Sequence, residues 1–537
     1  MVAMDSFRVS SAQEALWLAQ KLAPGLSNNI AAYLDISGDI DPPVMEAALQ
    51  RVAEEARSVL VNFVEDEDGP RQVVRASNSW KPFFIDVSAE ADPQSAAKAS
   101  MAEVGAVPFD LERDALYRAG LIKVHDTRFF LCAVCHHIVM DGFGVAILAS
   151  RIGEIYTALK TGIPIPDSGF GGPELIVDEA ARYRGSDRFT RDKEFWRNYT
   201  AALPEALRLP RHPSSPVPVT LHHSLAVSDD ETARWRTAAE SIGIPMPGFL
   251  AASVAGLLHR LSGMSEFMMR LAVANRVGAA RRTPGLVSNA VPFRVEIPPR
   301  SLFAAVAHDV GTEIRSILRH SRYQGSDVRR DRGLSGSVEN RFGPILNIIP
   351  FFDSIDFAGN PASMRGVSFG PVDDLSISIY YGGRNSAGMH IDIDANGALY
   401  SSEDVRLYAD LLMAFVRAVV ADPAGRIEEH DILRPTEREL VLRTWNDTIV
   451  PVPKVTIPGL VEQQAAATPD AVALTLGDRH WTYRDVNGRA NRLARYLIAR
   501  GAGPESIVAV AMQRSSGPRP GVGSVAGAIC RLHVVAA

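Results

Sequence analysis

His136-His137-Ile138-Val139-Met140-Asp141-Gly142 stands between two segments of different periodicity, and that junction decides the fold class. Before it, Phe129-Phe130-Leu131-Cys132-Ala133-Val134-Cys135 is a short continuous apolar run, the pattern of a buried strand. After it, Val145, Ile147, Leu148, Ile152, Ile155 and Leu159 recur at helical spacing, and Gly162 is placed to end the helix. The histidines therefore sit on a strand-to-helix loop. Adjacent residues in extended backbone point to opposite sides, so one imidazole can face a cleft while the other anchors the loop from behind. A neutral imidazole accepts a proton or orients a nucleophile near physiological pH. Asp141, a carboxylate at the helix start, fits a structural role through a charged partner. Gly142 lets the backbone approach a substrate or take an unusual dihedral. Read from the residues alone, the loop is either a site of acid–base or nucleophile-positioning chemistry or a pair of satisfied core histidines.

Outward from the junction, strands and helices mix. Leu121-Ile122-Lys123-Val124, the polar His125-Asp126-Thr127-Arg128 turn and the Phe129 run form a predicted hairpin. Upstream, Asp41 with Pro42 and Pro43 opens an amphipathic helix carrying Val44, Ala48, Leu49, Val52 and Ala56 on one face. Thr161 to Gly172, rich in Gly and Pro, connects to a second lobe. That lobe has helical patterns at 191–203, 247–261 and 404–420, and strand-like runs at 267–273, 345–352 and 377–381. Beyond Asp422 a polar connector leads to a new mixed segment from Ile457. There is no internal repeat of fixed short period.

A chain of 537 residues at ordinary domain size predicts about three domains or lobes. With 46% hydrophobic and 22% charged residues it is neither disordered nor fibrous. Lys+Arg 56 against Asp+Glu 62 gives a net charge of -6, which argues against nucleic acid as the main partner. No signal peptide and no apolar stretch of about 18 residues is present, so the expectation is a cytoplasmic chain without a membrane span. The cysteines, Cys132, Cys135 and Cys530, are too few for a disulfide framework. Cys132-Ala133-Val134-Cys135-His136 spells a haem attachment motif or part of a zinc set, but on a strand two sulfurs three residues apart point to opposite faces. They read as buried core residues.

The chain resembles the condensation domains of nonribosomal peptide synthetases and their acyltransferase relatives. His136 to Gly142 matches their HHxxxDG signature, and other pieces agree in order. Ser11-Ala12-Gln13 with Leu16-Trp17 resembles the opening SxAQ…LW segment, and Glu194-Phe195-Trp196 through Leu203-Pro204 the FW…LP segment. Gly285 to Arg294 resembles GxxVNxxPxR with Ser288 in place of Val. Arg322-Tyr323 to Asp331 and Asn347 to Phe351 resemble later motifs of siderophore-type synthetases. Arg51 to Phe63 departs from the family's RHxxLRTxF segment, which bears on subtype. The resemblance spans about residues 6 to 434.

The resemblance implies an α/β fold of two chloramphenicol-acetyltransferase-like lobes in a V-shaped arrangement with a tunnel between them, residues 1–170 forming the first lobe and 171–434 the second. It implies an acyltransferase that forms an amide: the amine of an acceptor aminoacyl thioester attacks the carbonyl of a donor acyl thioester. His137 orients or deprotonates the amine. His136 shapes the loop, Asp141 holds it by pairing with Arg276 or, second, Arg294, and Gly142 offers its N–H near the developing oxyanion. Asn289 is expected to hold a turn or strand end, and Trp17, Phe195 and Trp196 to be core aromatics. Arg322 to Arg332, interrupted by Asp327 and Asp331, reads as a solvated face. No cofactor or metal is bound directly. Substrates ride on the 4'-phosphopantetheine of partner peptidyl, aryl or acyl carrier proteins, supplied in trans to a monomeric chain.

After a linker at 435–456, residues 457–537 resemble the truncated start of an adenylation domain, through Thr468-Pro469-Asp470 and Trp481-Thr482-Tyr483 to Val508 and Ser515. From Ser516 the likeness stops, and one back-translation of Ser516 to Gly523, read one base later, gives Pro-Asp-Leu-Val-Leu-Ala-Leu, close to what an adenylation domain contains there, so 516–537 is expected to be frameshifted. Adenylation activity is not expected, and so short a fragment is expected to pack poorly. Two further functions stay open: a stand-alone acyltransferase using acyl-CoA or carrier donors, and an inactive remnant of a truncated synthetase.

Overall fold

The computed structural model describes residues 6–25, 27–74, 80–209, 211–212, 219–333, 342–350, 354–370, 372–382, 389–503 and 506–509. The chain divides into two compact units, 1–436 and 437–537.

In the larger unit the first half runs β1 (Ser6–Arg8), α1 (Ser11–Leu22), β2 (Asn29–Ser37), α2 (Pro42–Glu55), β3 (Val61–Asp66), β4 (Gly69–Val74), β5 (Phe83–Asp86), α3 (Pro93–Ala106), β6 (Tyr117–His125), β7 (Arg128–His136) and α4 (Gly142–Thr161). The expected amphipathic helix is α2: the Asp41 side chain caps it, Pro42 and Pro43 occupy its first turn, and Met45, Ala48, Leu49, Val52 and Ala53 face the core. The expected hairpin is β6–β7. β7 lies between β2 and β6, paired antiparallel on both edges. Its consecutive residues Phe129 to Cys132 are all buried, so both of its faces are covered and its sequence is apolar on both. Asp141 caps α4 and Gly162, at φ +72°, ends it. Gly153 sits mid-helix because α4 packs close against a neighbouring strand: a Cβ there would stand 2.8 Å from the Asp356 carbonyl oxygen.

The second half runs α5 (Glu174–Arg184), α6 (Asp187–Tyr199), β8 (Thr220–Val227), α7 (Asp229–Ser241), α8 (Met246–Ser262), β9 (Glu266–Val273), β10 (Asn289–Glu296), α9 (Phe303–Leu318), α10 (Gly325–Asp331), β11 (Ile345–Ile349), β12 (Ile355–Phe357), β13 (Asn360–Phe369), β14 (Leu375–Tyr381), β15 (Met389–Asn396) and α11 (Ser402–Ala421). Six strands form its sheet in the order β10-β9-β11-β14-β15-β8, with Leu346, Ile377, Ile379, Ile391 and Ile393 in one core with residues of α8, α9 and α11. β12 and β13 do not join it. They complete the first lobe's sheet, ordered β12-β13-β2-β7-β6-β5, where β13 pairs with β2 from Ala362 opposite Ile36 to Phe369 opposite Ile30. A division at 170/171 therefore misplaces residues 355–369, which cross back to the first lobe. Phe357, Ala362 and Met364 belong to its core.

α12 (Pro435–Leu442) spans the boundary between the units, and the smaller unit contains α13 (Ile457–Ala467), the β16 (Val472–Leu476) and β17 (Arg479–Thr482) hairpin, and α14 (Tyr483–Ile498). Ala490 and Ala494 form its buried apolar cluster among the described residues, while Trp445, Ile449 and Tyr496 are exposed. The frameshift expected at 516–537 and the third cysteine, Cys530, lie outside the described residues, as do Phe351 and the residues from 510 to Ser515 in the matched motifs. Among the described residues no single helix is long and apolar enough to cross a membrane.

Candidate active site

The loop between β7 and α4 is pinned from inside by three buried apolar residues, Ile138, Val139 and Met140. The His137 N–H donates to the Asn28 carbonyl at 2.8 Å, which ties the loop to the start of β2. His136, the last residue of β7, is buried: its Nδ1 accepts the Ile138 N–H at 3.1 Å and its Nε2 lies 3.2 Å from Gln20 Oε1. His137 turns the other way, into a cavity of about 700 Å³ lined by both lobes of the larger unit. Its Nδ1 lies 2.8 Å from the Met140 carbonyl oxygen. A carbonyl only accepts, so Nδ1 carries the proton and Nε2 keeps the lone pair.

Burial, with the neighbouring His137 adding to it, pushes the His136 pKa down to about 3. An unfolded chain holds the ordinary histidine value, about 6.5. Between those values the unfolded state binds a proton that the folded state refuses. His136 therefore contributes stability that is full above the unfolded pKa and is lost as pH falls toward the folded one. In a His136→Asn variant the unfolding free energy, followed by urea denaturation between about pH 6 and 4, will fall less steeply than in the parent by about 1.4 kcal/mol per pH unit.

Asp141 holds the loop from the other end. Its Oδ1 accepts the Gly144 N–H at 2.8 Å and Arg276 Nη2 at 2.6 Å, and its Oδ2 accepts the Val287 and Ser288 N–H groups at 2.9 and 2.8 Å. Arg276 in turn donates to the carbonyls of Ala280, Thr283 and Gly285 at 2.6 to 2.7 Å. Both side chains are buried. One carboxylate thus fastens the first lobe's α4 to the second lobe's 276–288 segment. Arg294, the other expected partner, is elsewhere: it lies on β10 between the buried Phe293 and Val295, turned to the opposite side of the strand. There it pairs with Glu266 and Glu296.

Asn289 is a clamp at the start of β10. Its Nδ2 donates to the Ser321 and Tyr323 carbonyls at 2.7 and 2.8 Å and its Oδ1 accepts the Gly325 N–H at 2.9 Å, fixing the segment that brings Gln324 and Arg329 to the cavity wall. Asn289→Ala orphans these buried groups and will cost about 2–4 kcal/mol, read as a lowered urea midpoint at unchanged m. Gly142 lines the cavity, and a Cβ there would meet nothing within 4 Å, so its side opens to the space a substrate would fill. Trp17 and Trp196 are buried, and Phe195 packs on the second lobe's core. Within the segment 322–332, Asp327 is buried and pairs with Arg184 at 3.0 Å, so its inner side joins packed structure. Cys132 and Cys135 are buried on β7, and burial pushes both thiols up to about 12.

The sequence reading missed one side of the cavity. Leu375-Ser376-Ile377-Ser378-Ile379-Tyr380 and His390-Ile391-Asp392-Ile393-Asp394 alternate strictly, and their polar sides are turned toward the cavity rather than toward solvent. The signal was the alternation itself, joined to carboxylates on a strand flanked by apolar runs.

A family model described as Condensation domain matches residues 4–442, and one described as AMP-binding enzyme matches residues 461–516. The dimodular nonribosomal peptide synthase of Bacillus subtilis is 35% identical over 515 residues, covering 95% of this chain and 21% of that protein. Enterobactin synthase component F of Escherichia coli is 29% identical over 523 residues, covering 94% of this chain and 39% of that protein. The chain thus spans about a fifth to two fifths of the length of these relatives. A crystal structure of the starter condensation domain of rhizomide synthetase in complex with C8-CoA is 30% identical with a TM-score of 0.72, covering 80% of this chain and 98% of that one.

Proposed function

This chain belongs to the condensation-domain family, and we propose that it forms an amide between a donor acyl thioester and the amine of an acceptor aminoacyl thioester, each carried on a phosphopantetheine arm. One observation carries the reading: His137 presents Nε2 to a cavity walled by both lobes, with its tautomer set by the Met140 carbonyl. The amine nitrogen attacks the donor carbonyl carbon, the carbon–sulfur bond breaks, and the donor carrier leaves as a free thiol. His137 Nε2 takes or orients the amine proton as nitrogen bonds to carbon. Gly142, first residue of α4, offers its N–H and the positive end of the helix to the developing oxyanion. His136 and Asp141 act through the loop they hold, and Arg276 and Asn289 act through the walls. Aminolysis of a thioester needs no covalent enzyme intermediate. Tethering both reactants supplies much of the acceleration, since effective molarities reach about 10⁵ M or more.

The carriers act in trans on a monomeric cytoplasmic chain in this reading, and amino-acid adenylation is outside it. Purified full chain incubated with acyl-loaded donor carrier and aminoacyl-loaded acceptor carrier will give an acceptor whose intact mass rises by the acyl group. A folded protein that yields no such mass across a broad donor panel would count for an inactive remnant. A second reading has a specific basis: the starter domain of rhizomide synthetase was crystallised with C8-CoA. Acyl-CoA replacing the donor carrier without loss of rate would favour it.

A further inference from the structure

Arg270 is a cation set into an apolar stretch of the cavity that holds His137. It lies on β9 between Met269 and Leu271, which belong to the second lobe's core, and so faces the other way, with Ala272 on its own side. Its register neighbours on the flanking strands are Pro292 of β10 and Ile345 of β11, and both line the same cavity. The Arg270 side chain is 15% exposed. Its Nε donates to the Gly343 carbonyl at 3.3 Å and its Nη1 to Asp373 Oδ2 at 3.2 Å. A guanidinium carries five N–H donors, so these two bonds leave others unused. Nη2 has no partner among the described residues, and it is not sealed from the cavity either. Asp373 is 59% exposed, so water weakens its hold on the cation.

A second cation stands nearby. Arg329 of α10, in the segment read from the sequence as a solvated face, is exposed but lines the cavity, and it makes no hydrogen bond or ion pair among the described residues. Its charge is felt at Arg270: burial pushes the Arg270 pKa down, Asp373 opposes the fall, and the like charge of Arg329 adds to it. An arginine does not lose its proton in a protein, so both groups stay cationic. The other carboxylates on the cavity wall are engaged elsewhere, Asp141 by Arg276 and Asp394 by His222 at 2.7 Å. Two guanidinium groups therefore share one hydrated carboxylate, and an anion entering the cavity relieves their repulsion.

We propose that Arg270 and Arg329 form an anion-binding subsite of the cavity, which takes the carboxylate of a dicarboxylic acyl or acidic aminoacyl group, or the phosphate of the arm that carries it. The subsite rests on the reading of the cavity as the place where carrier-borne substrates meet. The planar fork of an arginine pairs with carboxylate and phosphate oxygens alike, and a desolvated fork rejects the uncharged analogue that leaves its donors unmet. Arg270 stands six residues before Arg276, the partner of Asp141, so the anion is held along the cavity from the reacting carbonyl and not at it.

Binding without turnover tests the subsite. Hydrolysis-resistant amide conjugates are titrated calorimetrically into the full chain in matched pairs. On pantetheine, which has no phosphate, succinyl is paired with butyryl, glutaryl with pentanoyl, adipyl with hexanoyl and aspartyl with asparaginyl. Butyryl-phosphopantetheine is paired with butyryl-pantetheine. The charged member of at least one pair will bind about tenfold or more tightly than its partner, and Arg270→Gln will bring that pair to within about threefold. The pair that separates tells carboxylate from phosphate. Arg329→Gln, a change at an exposed position, replaces Arg270→Gln if that variant unfolds. No separation in any pair, whether both members bind or neither does, overturns the subsite, as does a preference that the folded variant retains. Discrimination without amide formation in the carrier assay refutes the catalytic reading alone, and amide formation without discrimination refutes the subsite alone.

Discussion

Asp141→Ala will lower the unfolding free energy by about 3–5 kcal/mol and reduce amide formation by about 10²-fold or more in whatever protein remains folded. The stability loss follows from what the carboxylate meets. Four donors converge on it, three of them backbone N–H groups and the fourth the Arg276 guanidinium. Removing it strands those N–H groups and leaves a buried cation facing three carbonyls with no counter-charge. The rate loss follows from where the donors sit. Gly144 is in the first turn of α4, directly after the His137 loop, while Val287 and Ser288 belong to the opposite wall. Without the carboxylate the loop and the wall lose their common tie, and a shift of about 1 Å in a reacting group costs about 10²-fold. Arg276→Lys should recover little, because one ammonium cannot reproduce the planar fork that reaches Ala280, Thr283, Gly285 and Asp141 at once. Pairing Asp141→Asn with Arg276→Met should cost less than the sum of the single changes, since the double variant leaves no buried charge behind. Urea unfolding of the parent and each of these variants decides it: Asp141→Ala within about 1 kcal/mol of the parent would mean that the clasp contributes little.

What was legible in the sequence was local. The β7 run, the α4 periodicity and the Asp141 cap lie within about 40 residues, and each is dictated by burial pattern or end chemistry at its own position. The Asp141 to Arg276 bond joins residues 135 apart, so spacing could not supply it, and it was expected only through the family likeness. That likeness also put Arg294 forward. Strand alternation shows why it fails: Val291, Phe293 and Val295 take the buried side of β10 and turn Arg294 outward. The return of β12 and β13 to the first lobe was hidden because β-pairing at a separation of about 330 residues leaves no periodic trace. The polar side of β14 and β15 was hidden for a related reason. Alternation marks two faces but does not say which is wet, and here the other lobe covers the side that would ordinarily meet water.

His137→Ala will slow amide formation by about 10²–10⁴-fold while changing stability by only about 1 kcal/mol, since the side chain is partly exposed to the cavity and makes one hydrogen bond to the protein. The single variant does not separate a base from a positioning group, but two amides do. An asparagine places its amide near the imidazole Nδ1 and can donate to the Met140 carbonyl as His137 does at 2.8 Å, restoring the loop contact without a nitrogen at the Nε2 position. A glutamine reaches the Nε2 position with an amide that accepts a hydrogen bond from the amine but does not take up its proton at neutral pH. If Nε2 accepts the proton, both variants stay slow under saturating carriers, with kcat lowered and KM little changed. Recovery in His137→Asn alone would make the residue a loop brace, and recovery in His137→Gln alone would make it an orienting acceptor. A residual rate in all three is expected, because tethering and the Gly142 N–H are untouched, and its size measures how much of the acceleration comes from holding two thioesters together.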